Sequence, residues 1–135
     1  MTKDGGNMTG GCLCGALRYR INGPPRGDVV HCHCTLCRRA SGAVAVTWLT
    51  VARGDFTWVA GTPALYRSSA KGTREFCPIC GTPVTFRHAD YADEIDISVG
   101  SLDRPEDVPA SLHIWTDTRL PWLALDTHLP DRKRE

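Results

Sequence analysis

The seven cysteines of this chain fall into three tight groups, and none stands alone. They are Cys12-Leu13-Cys14, just after Gly10-Gly11; Cys32-His33-Cys34-Thr35-Leu36-Cys37; and Cys77-Pro78-Ile79-Cys80-Gly81. The third group has the form of a zinc knuckle. Two cysteines separated by two residues turn both sulfurs toward one ion. Pro78 pre-sets the backbone, and Gly81 permits the dihedral that lets amides face the sulfurs. A knuckle supplies two ligands, whereas a closed structural zinc takes four. Cys12 and Cys14 have nothing else nearby to coordinate, and two plus two closes a site. Cys32, Cys34 and Cys37 remain. Three protein ligands and one exchangeable position is the arrangement of catalytic zinc. The expectation is two zinc ions per chain, although spacing alone admits other pairings.

Other chemistries fit the same residues. Cysteines two apart serve as redox dithiols. A histidine can close the second site, with His31 and His33 nearest in sequence. In an extended chain neighbouring side chains alternate, so both would point away from an ion held by Cys32 and Cys34. His88 and His113 lie far along the chain. Thiolates also hold iron. Structural disulfides are the poorest fit, because the number of cysteines is odd and the polar start Met1 to Asn7 lacks the apolar core of a secretion signal. The expected compartment is the cytoplasm. Bare thiolates at this density repel one another, so metal belongs to the fold, at about 10 kcal/mol of folding free energy in small domains.

The bulk composition is unremarkable, and that excludes several classes. A length of 135 residues suits one domain, and 41% apolar residues supply an ordinary core. A formal net charge of +1 gives no reason to expect nucleic acid or a membrane surface as partner. No apolar run approaches the roughly 20 residues of a membrane-spanning helix.

The elements that must position the cysteines are short strands. Leu17, Tyr19 and Ile21 alternate with Arg18 and Arg20; Val84 and Phe86 with Thr85 and Arg87; Ile95, Ile97 and Val99 with Asp96 and Ser98. Ala43 to Val51 is apolar on both faces and reads as a central strand. Phe56 to Val59 and Leu65 to Ser68 read as further strands. Gly23-Pro24-Pro25, Gly61-Thr62-Pro63 and Asp103 to Pro109 break the pattern. A single helical turn fits Thr35 to Ser41 or Pro105 to Val108. The expected architecture is mainly β, short antiparallel strands stapled by zinc sites. It comprises a flexible N-terminus (1–8), one domain (9–130) and a charged, solvated tail (131–135).

At these residues the sequence resembles the glutathione-dependent formaldehyde-activating enzyme family, also called the centromere protein V domain family. The matching stretches are Gly10-Gly11-Cys12-Leu13-Cys14-Gly15 with Arg18-Tyr19, Cys32 to Arg39 with Ser41-Gly42-Ala43, Phe76 to Pro83, Val99 to Asp103, and His113-Ile114-Trp115. The resemblance covers about residues 9–130. It implies an Mss4-like fold, structural zinc on Cys12, Cys14, Cys77 and Cys80, and a second, reactive zinc on Cys32, Cys34 and Cys37. Members often carry an aromatic residue after the Ser-Gly-Ala stretch; here Val44 and Ala45 follow.

Three thiolates leave a zinc ion with one net negative charge. Such an ion activates water poorly and suits a soft sulfur ligand. This favours a thiol substrate and agrees with the family's reaction, in which glutathione adds to formaldehyde to give S-hydroxymethylglutathione. The reverse step cleaves a carbon–sulfur bond, so the formal class is lyase. Arg38 and Arg39 offset the metal centre's charge or grip a substrate carboxylate, the alternative being an exposed basic pair on a turn. Ser41 reads as a turn cap, Trp48, Trp58, Trp115 and Trp122 as core, and His113 as a strand histidine facing solvent. A non-catalytic zinc module that binds a protein partner is the competing reading. It requires a fourth protein ligand on the second zinc and an exposed apolar patch.

Overall fold

The apolar stretch expected at the centre of the sheet is there, for a reason its side chains make plain. In the computed structural model, which describes residues 7–135, β4 (Val46–Ala52) buries residues on both faces. Successive side chains point to opposite sides of a strand. Leu49 and Val51 enter one core, while Val46 and Trp48 enter another.

On one side β4 pairs with β9 (Glu94–Ser98), followed by β8 (Pro83–His88), β7 (Gly72–Phe76) and β6 (Ala64–Arg67). On the other it pairs with β3 (Val30–Cys32), and β3 with β10 (Leu112–Ile114), completing a seven-stranded sheet. Neighbours in this sheet are antiparallel except β10 and β3, which run parallel. A second sheet holds β1 (Asn7–Gly11), β2 (Arg18–Asn22) and β5 (Phe56–Ala60). The main core unites Leu17, Tyr19 and Ile21 with Leu49, Val51, Ile95 and Ile97. Truncating Leu49, which is 0% exposed, to alanine costs about 2–5 kcal/mol by the usual cavity rule.

The opposite face of the large sheet carries the second cluster: Cys32, Cys37, Val46 and Trp48, with Phe86, Ile114 and Trp115 against them. The single α-helix among the described residues, α1 (Thr35–Ser41), follows β3 and contacts β4. One row of cross-strand partners runs over the sheet here: Thr50, Asp96, Phe86, Arg74 and Tyr66, from β4 to β6.

Most expected strands are present, as is the helical turn at Thr35–Ser41; Pro105–Asp107 is a 3₁₀ turn. Strands β1, β3, β7 and β10 were not apparent from periodicity. Val84 and Phe86, expected on one face, belong to different clusters. A register shift between Glu75 and Phe76 leaves Val84 unpaired in the ladder, next to Pro83, which has no amide to donate. Of the N-terminal segment expected to be flexible, residues 1–6 lie outside the described residues, and Asn7 and Met8 are part of β1. The tail does not stand free. Arg132 N–H donates to the His113 carbonyl, Trp115 N–H donates to that of Arg134, and Asp131 pairs with Arg119.

Asp96 faces the second cluster, where its carboxylate accepts a 2.7 Å hydrogen bond from the Thr50 hydroxyl. Burial nevertheless pushes its pKa up from 3.8 to about 6. Its ionisation therefore destabilises the fold progressively as pH rises through that window, and not below it. Asp96→Asn is expected to raise stability by about 1–2 kcal/mol at pH 8 and to change little near pH 4, as read by urea denaturation. An equal effect at both pH values would refute this account.

Candidate functional site

The first two-cysteine group sits in the turn after β1. Cys12 N–H donates to the Leu17 carbonyl, and Gly15 N–H returns to the Cys12 carbonyl at 3.2 Å. Leu17 N–H points at Cys12 Sγ, 3.2 Å away. The Cys77–Cys80 turn repeats the design after β7, with the amides of Ile79 and Cys80 each 3.4 Å from Cys77 Sγ. Gly15 and Gly81 adopt φ of 83° and 84°, which only glycine reaches without strain. Thr82 ties the turns together: its hydroxyl accepts from Leu13 N–H at 3.0 Å and lies 3.2 Å from Cys80 Sγ. That hydroxyl, with the Thr82 amide, draws the Cys80 pKa down to about 5.

The sulfurs of Cys12, Cys14, Cys77 and Cys80 all lie within 4.8 Å of one another. Cys12 and Cys14 Sγ are 3.6 Å apart, and Cys14 and Cys77 Sγ 3.8 Å apart. A tetrahedron with zinc–sulfur arms of about 2.3 Å has edges of about 3.8 Å, so these two separations are those of neighbouring thiolates on one zinc ion.

Cys32, Cys34 and Cys37 form the other group, also within 4.8 Å. Cys32 closes β3, Cys34 is the N-cap of α1, and Cys37 sits one turn in. The cap bond is made by sulfur: Cys37 N–H donates to Cys34 Sγ at 3.2 Å. Cys32 and Cys37 Sγ are 3.7 Å apart, again a tetrahedral edge. Hydrogen bonds from Cys32 and Cys37 hold the Cys34 thiol far below its usual range, and Cys32 is driven up in compensation. Among the described residues no histidine, carboxylate or further cysteine joins this trio.

The histidines lie elsewhere. His31 bonds Thr47 Oγ1 at 2.8 Å and Asp126 Oδ2 at 2.7 Å, while His33 Nε2 meets His113 Nδ1 at 2.9 Å. Strand alternation turns them from the sulfurs, as the sequence reading anticipated. His113 does not face solvent as expected. It is 2% exposed, because the C-terminal segment folds over it and the Asp126 carbonyl lies 3.0 Å from its Nε2. Trp122, expected in the core, is 69% exposed; Trp48 is buried against the cysteine trio. Ser41 caps the helix end, donating to the Cys37 carbonyl at 2.8 Å and accepting from Ala43 N–H.

A cavity of about 430 Å³ opens between α1 and strands β6 and β7, bounded also by Gly81 and Pro83 just after the knuckle. Arg39, not Arg38, lines it, with Leu36, Tyr66 and Phe76. So does Arg74, whose Nη2 is 3.7 Å from Cys37 Sγ. Sequence reasoning missed Arg74, since no metal motif includes it; a cation in a short segment followed by a knuckle was its only signal.

The profile of the glutathione-dependent formaldehyde-activating enzymes matches residues 7–118, a span that holds both cysteine groups. The chain belongs to this family. A Halomonas elongata relative bearing the name "Putative glutathione-dependent formaldehyde-activating enzyme" is 22% identical, over 93% of this chain and 85% of its own length. The crystal structure of a Rhodobacter sphaeroides protein shares the fold, with a TM-score of 0.59 at 21% identity over 92% of this chain and 99% of that one. No helix among the described residues is long and apolar enough to cross a membrane.

The two groups should differ on mutation. Cys77→Ser, in the four-sulfur group that joins the sheets' turns, is expected to abolish cooperative unfolding. Cys34→Ser is expected to keep the fold and lose about one metal equivalent of two, by elemental analysis and circular dichroism. Equal loss of structure in both variants would contradict separable sites.

Proposed function

We propose that this protein is a zinc-dependent carbon–sulfur lyase acting on a thiol adduct, of the type that joins glutathione and formaldehyde into S-(hydroxymethyl)glutathione. In that reaction a sulfur–carbon bond forms, and the thiol proton ends on the former carbonyl oxygen. Cys12, Cys14, Cys77 and Cys80 hold a structural zinc; Cys32, Cys34 and Cys37 hold the reactive one. The observation that carries the reading is the trio itself: three sulfurs within 4.8 Å of one another, no fourth protein ligand among the described residues, and a nearby cavity whose wall includes Arg74, which contacts Cys37.

Zinc bound to the trio supplies a position where an incoming thiol gives up its proton and stays nucleophilic. The chain's own contribution is placement. The cap bond to Cys34 and the buried setting of Cys32 and Cys37 fix the three sulfurs before substrate arrives. The Arg74 guanidinium offsets the negative charge that a further thiolate adds. Leu36 and Phe76 give the cavity apolar walls for the uncharged part of a substrate.

The competing reading, a module that binds a protein partner, calls for a fourth protein ligand, and none accompanies the trio among the described residues. Cobalt substitution distinguishes the two. The visible spectrum of the cobalt-loaded protein is expected to shift on adding millimolar glutathione, and Cys34→Ser to remove the shift. A spectrum indifferent to thiol would leave only a structural role for the trio.

A further inference from the structure

Arg74 is 8% exposed, yet no carboxylate among the described residues pairs with it. An isolated buried cation is costly, and proteins normally match one with an acid. Here Nε donates to the Ser68 hydroxyl at 3.0 Å, Nη2 lies near Cys37 Sγ, and the guanidinium sits 4.7 Å from the Phe86 ring centroid. These contacts fix the fork and use part of it. Nη1 has no acceptor among the described residues, and the side chain lines the cavity. Arg39 reaches the same cavity from α1. Two guanidinium groups therefore bound a space whose other walls, Leu36, Tyr66 and Phe76, offer no negative charge.

We infer that this cavity is a carboxylate subsite, in which Arg74, with Arg39 opposite, receives an acidic end of the thiol substrate. The inference rests on the thiol-binding reading above and adds the feature that selects among thiols. A planar, pre-fixed guanidinium takes a carboxylate through two parallel hydrogen bonds and loses little freedom in doing so. Its contact with Cys37 sets the scale. The carboxylate must lie near the reacting sulfur, within about 7 Å, which is roughly the span of two extended residues. In glutathione the glycine carboxylate, one residue beyond the cysteine, meets that condition. Arg38, which follows the trio in sequence, is outside the cavity wall.

Calorimetry on the zinc-loaded full chain tests this with three probes: glutathione, glutathione amidated at its glycine carboxyl, and 2-mercaptoethanol. Glutathione is expected to bind at least about 10-fold more tightly than its amide, the usual worth of a charge-assisted hydrogen bond. Arg74→Gln is expected to erase that ratio, and Arg39→Gln to reduce it several-fold. Arg39 is exposed, so its variant decides the matter should Arg74→Gln fail to fold or to hold zinc. Equal affinity for glutathione and its amide overturns the subsite while leaving thiol binding intact. So does a ratio unchanged in the Arg39 variant. If none of the three thiols binds, the thiol-binding reading falls and the subsite falls with it.

Discussion

Seven sulfurs drawn to contact distance in two groups is the constraint on which the rest of this molecule depends. Thiolates so close repel, and thiols so close gain little from one another. A bound cation would turn that repulsion into a source of stability. Each group is built from local turns whose amides point at sulfur, so the backbone itself supplies partial positive charge where the ligands need it. The four-sulfur group joins the turn after β1 to the turn after β7, and so links strands of the two sheets by a route other than the shared apolar core.

The second constraint is register. The row Thr50, Asp96, Phe86, Arg74 and Tyr66 crosses five strands, and a slip of one residue in any of them would move its member to the opposite face. Arg74 reaches Cys37 only because β7 is held against β8 in this register. The bulge at Val84 allows it, absorbing one residue so that Val84 enters the main core while Phe86 stays under the guanidinium. Site geometry is thus set by sheet pairing as much as by the cysteine turns.

Much of this was legible in the chain. The cysteine spacings allow a four-sulfur group and a trio among other pairings, the family resemblance implies that grouping, and period-two alternation marks β2, β8 and β9. A helical turn fits the sequence at Thr35–Ser41, one of two places where it was expected, and it is there. What was hidden depended on partners distant in sequence. β7 reads Gly-Thr-Arg-Glu-Phe, and two charged residues argue against burial until Glu75 is seen bonded to Thr85 and Arg74 set against Cys37. β10 is three residues long and pairs parallel with β3, a contact no local pattern announces. His113 looked solvent-facing because nothing in its own strand foretells that the last residues of the chain return to cover it.

The sulfur cap on α1 has a consequence for the form of the protein that lacks metal. A helix of seven residues has almost no intrinsic stability and persists through its end contacts. Its cap atom is a sulfur of the trio, and its outer side, through Leu36, Arg39 and Ala40, is one wall of the cavity. Sulfur, cap and wall are therefore a single cooperative unit. On the proposed reading, a chelator that strips the trio would also dismantle the receptor for whatever occupies that hollow, so demetallated protein would be a poor blank for measuring substrate affinity.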